Sequence, residues 1–242
     1  MSKQRNRPKN KAPTPKGPSA ATPPPEEKSG DRVIEAQFLA GATEVDQFPP
    51  PVMSEIAFAG RSNVGKSSLL NSLMQRNGLV RTSSTPGCTR QISWFEAIAD
   101  DKANLHLVDL PGYGYAKRSK SERKQWAHLI ESYLLARSTL KGVVILIDIR
   151  RGLEEEEKSL LELLEGDSEV SRAPLETVIV ATKLDKLSNS ARKPALAALC
   201  AQVGRPVLGY AAPEHLGRRP LWRKIRRIAG VSLLEAAPDQ DS

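Results

Sequence analysis

The stretch Gly60 to Ser67 reads GRSNVGKS, and it constrains the fold more than any other part of the chain. An apolar run, SEIAFAG, leads into it, and KSSLLNSLM follows with Leu69, Leu70, Leu73 and Met74 at helical spacing. A strand that turns through a glycine loop into a helix packs that helix on its sheet, the unit from which mainly parallel sheets are built. The rest of the chain repeats this grammar. VIEAQFLA, ISWFEAIA and NLHLVDL read as strands, the last two joined by a DDK turn. Trp126, Leu129, Ile130, Tyr133 and Leu134 then recur at helical spacing. Strand GVVILID, an acidic helix over 153–165, strand ETVIVAT, a helix near 189–202, strand PVLGYAA and a helix over 217–229 complete the alternation. The pattern predicts an α/β fold, a mainly parallel sheet with helices on both faces.

At 242 residues the chain suits one such domain. Residues 1–30 hold no Val, Ile, Leu, Phe, Tyr or Trp, so they cannot bury enough apolar area to offset ordering, and a disordered tail is expected. The domain is placed at 31–236, with a short acidic end at 237–242. Cys88 and Cys200 are too few for a disulfide framework and point to a reducing compartment. GVVILI is too short to span a bilayer, and the basic N-terminus lacks an apolar signal region, so a cytoplasmic protein with no membrane partner is expected. Net charge is +8, of which the first thirty residues carry +5, seven Lys or Arg against Glu26 and Glu27. Arg218, Arg219, Arg223, Lys224, Arg226 and Arg227 form a second cluster with no acid among residues 216–230. Leu221, Trp222, Ile225, Ile228 and Ala229 make a stripe that should pack on the sheet, which turns those cations to solvent, toward a polyanion such as RNA.

GRSNVGKS matches G-x-x-x-x-G-K-[ST] in the strand–helix setting that the motif needs. Gly60 and Gly65 let backbone N–H groups and a helix N-terminus surround phosphate oxygens. Lys66 neutralises outer phosphates, and the Ser67 hydroxyl suits Mg²⁺. Asp109 closes a strand in DLPG, where it can hold a Mg²⁺-bound water while the Gly112 N–H reaches a terminal phosphate. TKLD, Thr182 to Asp185, follows another strand. There the Asp185 carboxylate can accept from guanine N1–H and the 2-amino group, a donor pair that adenine lacks, and the Lys183 stem can lie over the purine. The order of these pieces selects a guanine nucleotide.

GRSNVGKSS, STPGCT, DLPGYGYAK and TKLD in this order resemble the translation-factor-like P-loop GTPases, and in detail the EngB (YihA/YsxC) group of bacterial GTP-binding proteins. DLPGYGYAK is the most specific of the four, and the resemblance covers roughly 32–230. It implies a Ras-like fold, GTP or GDP with Mg²⁺, a role in assembling the large ribosomal subunit, a link to cell division and septation, and a monomer. By position, Gly60, Arg61, Ser62, Asn63, Val64, Gly65, Lys66 and Ser67 would hold phosphates, with Lys66 catalytic. Thr89, flanked by Gly87, Cys88, Arg90 and Gln91, matches the switch threonine that joins Ser67 on the metal. Asp109, Leu110, Pro111 and Gly112 match the second switch. Thr182, Lys183, Leu184 and Asp185 match the base-reading motif, and Tyr210, Ala211 and Ala212 the fifth motif, whose backbone contacts the guanine O6.

Several residues depart from the family pattern. Ala211 lacks the serine hydroxyl that braces the fifth motif. Cys88 stands where the group carries arginine, most simply as a small residue in a loop. Tyr113 follows DLPG where many hydrolytic relatives place a water-orienting glutamine, so slow turnover without a partner is expected. Asn63 is a candidate K⁺ ligand, its alternative a plain turn residue. A nucleotide-gated RNA-binding module without useful turnover is the competing reading of the whole chain. Glu154 to Glu157 suit a helix first turn, not a metal site. His106 reads as structural and His128 as a partly exposed helix residue. His215, before the last helix, is assigned no role.

Overall fold

The computed structural model describes residues 29–80, 91–113, 120–165 and 175–231. The strands are β1 (Val33–Ala42), β2 (Glu55–Gly60), β3 (Ile92–Ala99), β4 (Asn104–Asp109), β5 (Leu140–Asp148), β6 (Glu176–Thr182) and β7 (Val207–Gly209). The helices are α1 (Lys66–Met74), α2 (Lys120–Ala136), α3 (Glu155–Glu165), α4 (Asn189–Val203) and α5 (Arg218–Ala229). One sheet runs β1-β3-β4-β2-β5-β6-β7. β4, β2, β5, β6 and β7 are parallel; β3 joins β4 antiparallel and β1 joins β3 antiparallel.

β2 lies between β4 and β5, so it is covered on both faces and reads as an unbroken apolar run. Ile56 and Phe58 face the side packed by Leu69, Leu70 and Leu73 of α1 and by Leu221, Trp222 and Ile225 of α5. Ala57 and Ala59 face the other side, with Leu129, Ile130, Tyr133 and Leu134 of α2, Leu161 of α3 and Leu199 of α4. Each fully buried aliphatic side chain contributes about 1.5–3 kcal/mol, so the α1 stripe alone seats that helix firmly.

At the opposite end of β2 from its glycine loop, Glu55 is fully buried. The Arg137 Nε donates to both its oxygens at 3.0 and 3.1 Å, and the Tyr133 hydroxyl donates to it at 2.8 Å. Arg137 also reaches the Pro49 carbonyl at 2.7 Å and stacks 5.8 Å from the Trp94 ring centroid. This network pins the end of α2 to the foot of the central strand.

The α5 cations differ from expectation. Arg226 is fully buried and bonds to the Gly30 carbonyl and to Asp101 of the DDK turn. Arg219 and Arg223 pair with Asp31 at 3.0 and 2.6 Å, and Lys224 with Glu176 at 3.2 Å. The Arg223 hydrogen bonds hold the Asp31 carboxyl below its ordinary range against the cost of burial. The acids absent from the local sequence arrive through space. Trp222 Nε1 donates to the Gly30 carbonyl at 2.7 Å, so the start of the described chain is fastened to α5.

Candidate functional site

β2, β4, β5, β6 and β7 end on the same side of the sheet, at Gly60, Asp109, Asp148, Thr182 and Gly209. Ligands of open parallel sheets bind beyond these carboxyl ends. In the loop after β2, a Cβ on Gly60 would lie 2.9 Å from Val64 Cγ1 and 3.1 Å from Leu146 Cβ, so only glycine lets the chain curl there. Asn63 and Gly65 take φ of 64° and 104°, left-handed values that asparagine tolerates and glycine prefers. α1 starts at Lys66, whose side chain turns inward, 8% exposed, and bonds to the buried Asp109 carboxylate. Burial pushes the Asp109 carboxyl up, and Lys66 pulls it back.

The DLPG turn lies flat on this loop. A Cβ on Gly112 would stand 3.1 Å from both Ser62 N and Ser62 Oγ. The Ser62 N–H donates to the Tyr113 carbonyl at 3.0 Å. The Tyr113 phenol turns toward α3, where burial, with Glu157 and Glu156 close by, raises it far above an ordinary tyrosine. Arg61 pairs with Glu154 and Glu156 beside it. Burial also raises the Glu157 carboxyl. Tyr113 therefore offers no side-chain group toward the loop that could replace a glutamine.

The TKLD segment clamps the same loop. Thr182 Oγ1 donates to the Val64 carbonyl at 2.7 Å and lies 3.2 Å from the Ile147 carbonyl. Lys183 Nζ donates to the Asn63 carbonyl at 2.5 Å and pairs with Asp148 Oδ2 at 3.0 Å. The Lys183 stem passes 3.8 Å from where a Gly65 Cβ would be. Leu184 is buried, and Asp185 keeps a mostly covered carboxylate, with Lys186 Nζ at 3.1 Å. Next to it, the Tyr210 N–H donates to the Ala181 carbonyl at 2.8 Å, and the Leu184 N–H donates to the Tyr210 carbonyl at 3.2 Å. Ala211 and Leu216 exchange two backbone bonds, 3.1 and 3.2 Å. That commits the Ala211 N–H within the loop.

Ser67 lies in the first turn of α1, next in sequence to Lys66. A hydroxyl and a buried carboxylate are the hard oxygen donors that Mg²⁺ takes. Gly87, Cys88, Thr89 and Arg90 lie outside the described residues, as do most of the tail, residues 237–242 and the last four of DLPGYGYAK. Gln91 is described, and its side chain packs against Gly41 of β1 and donates to Ser93 of β3 at 3.3 Å, within the β1–β3 pairing.

Asp148 and Arg150 escaped the sequence reading. Arg150 forks onto Asp148 at 2.9 and 2.7 Å. Burial opposes ionisation of Asp148, and Arg150 with Lys183 overcomes it, holding the carboxyl well below the usual range. The signal was present, an acid closing the apolar run GVVILID, but its partner, Lys183, is thirty-five residues away. His106 is buried in β4, where burial lowers its basicity, and it takes the structural position expected. His215 does have a partner, Ser72, at 3.3 Å.

The sheet order, the loop after β2 and the helices on both faces are those of the Ras-like P-loop GTPases. The sequence family described as 50S ribosome-binding GTPase matches residues 55–183. A probable GTP-binding protein EngB from Desulforapulum autotrophicum is 42% identical over 80% of this chain and 96% of its own. One from Desulfatibacillum aliphaticivorans is 41% identical over 85% of this chain and 97% of its own. The chain belongs to the EngB family of GTP-binding proteins. In fold it is similar to the crystal structure of a probable GTP-binding protein EngB, at 23% identity and a TM-score of 0.56, covering 73% of this chain and 99% of that one. It is also similar to Aquifex aeolicus Era, at 19% identity and a TM-score of 0.59, covering 73% and 56%. P-loop GTPases generally use Mg²⁺. Among the described residues no helix is long and apolar enough to cross a membrane.

Proposed function

We propose that this chain is a slow, Mg²⁺-dependent GTPase switch that acts in assembly of the large ribosomal subunit and is needed for normal cell division and septation. The observation that carries the nucleotide reading is the double clamp of Thr182 and Lys183 onto the Val64 and Asn63 carbonyls. It joins a phosphate cradle and a base reader in one rigid site. Lys66 and the loop N–H groups hold the phosphates, Ser67 and Thr89 are the metal ligands, and Asp185 with the Ala212 N–H reads guanine. When bound, Mg²⁺ supplies charge neutralisation between the outer phosphates. Catalysis by this chain is positioning and electrostatics, because phosphoryl transfer asks little covalent chemistry of the protein. With Tyr113 turned to α3, water orientation comes from outside the chain or from a K⁺ held by Asn63. Turnover several-fold faster in KCl than in NaCl is expected on the second route, and equal rates assign the missing group to a partner.

The ribosomal part of the proposal leans on the family description, the basic tail and the resemblance, and it is tested by co-sedimentation. Ribosomal large subunits should retain the chain with a non-hydrolysable GTP analogue and release it with GDP. Retention that is indifferent to nucleotide, with no GTP cleavage with or without subunits, would favour a plain RNA-binding module.

A further inference from the structure

The loop that carries the Ala212 N–H runs from Ala211 to Leu216, and its first two residues are alanines with no side-chain hydrogen-bonding group. Something else must hold it at the base. On the α4 side, Glu214 accepts a two-pronged pair from Arg192, at 2.8 and 2.7 Å. On the α1 side a hydrogen-bond chain reaches it from both ends. The Tyr210 hydroxyl, at the buried start of the loop, donates to Ser72 Oγ at 3.0 Å. Ser72 Oγ lies 3.3 Å from Nδ1 of His215, at the far end of the loop. His215 itself sits at φ 52°, a strained value for its type, and its N–H bonds back to the Ala212 carbonyl at 3.3 Å. Gly217 then closes the loop, since a Cβ there would stand 2.1 Å from the Gly209 carbonyl oxygen.

We infer that Tyr210, Ser72 and His215 are positioning residues for guanine recognition, a brace that ties the base loop to the helix that starts at the phosphate cradle. The inference rests on the proposed guanine site. Ser72 is on the same helix as Lys66, so the brace sets the distance between the two ends of a bound nucleotide. Nothing in the sequence pattern marks it, because its members are a helix serine, a strand-end tyrosine and a loop histidine.

The test compares GDP with the diphosphate of 2-aminopurine riboside, which keeps the 2-amino group and lacks both O6 and the N1–H. The full chain should prefer GDP. Tyr210→Phe, Ser72→Ala and His215→Ala should each weaken GDP about fivefold, the size of one neutral hydrogen bond, and leave the analogue within twofold of the parent. The Tyr210→Phe/Ser72→Ala double variant should be no worse than either single one, and Ser72→Thr should retain GDP affinity. Thermal unfolding of each variant separates loss of the loop from loss of the fold. Unchanged GDP affinity, or equal losses for both nucleotides, overturns the brace while leaving the guanine site standing. A parent chain that does not prefer GDP overturns both.

Discussion

Lys66 is bonded to Asp109 within the chain, and both are buried, so any phosphate that arrives at the loop competes for an ammonium that already has a partner. Removing one member of a buried pair leaves the other charge uncompensated, at a cost of about 3–5 kcal/mol. Lys66→Ala should therefore lower stability in nucleotide-free buffer as well as abolish nucleotide binding. The sign with pH follows from Asp109. Burial already raises its carboxyl, and loss of Lys66 raises it further, so the folded value stands above the unfolded 3.8. Its protonated form stabilises the fold below that value, and this is lost as pH rises through the folded value. Urea unfolding of Lys66→Ala against the parent should show a gap that widens as pH rises above the unfolded carboxylate value, and Asp109→Asn added to it should restore most of the loss. A gap independent of pH would mean that Asp109 is not the cause.

At the scale of elements, α5 is seated by its apolar stripe and locked by Arg226, which reaches Gly30 and Asp101 from a fully buried position. Arg226→Met keeps much of the stem and strands Asp101, which is only 10% exposed. It should cost about 3 kcal/mol in unfolding free energy, against under 0.5 for Arg227→Met on the exposed side of the helix. The elements themselves were legible. β2, β4, β5 and β6 are buried apolar runs, and α1 carries its stripe at the expected spacing, so periodicity alone placed them. The places of GRSNVGKS and TKLD were legible for the same reason, as short segments at strand ends. What could not be read was pairing across distance. Arg226 looks solvent-facing in a run of cations because Asp101 is more than a hundred residues away in sequence. Asp148 looks like a strand terminus until Arg150 and Lys183 are seen beside it. The β7 segment was legible as a strand, but only three residues of it pair, since the chain must leave the sheet at Tyr210 to form the base loop.

For the whole molecule, the positive field on α5 is smaller than the residue count suggests. Six cations near the helix, less Asp31, Asp101 and Glu176, leave +3. The first thirty residues add +5, and they join the folded body at Gly30, which Trp222 and Arg226 fasten to that same helix. Deleting residues 1–28 should leave the melting temperature unchanged, because the anchoring contacts described begin after residue 28. The same deletion should flatten the dependence of log affinity for ribosomal subunits on log salt by up to about four units. An unchanged slope would show that the basic residues do not reach the partner. The knot at Gly30 thus gives the leading segment a fixed mooring. Residues 1–28 are covalently attached beside the α5 cations, so both sets of positive charge share one point of attachment on the body.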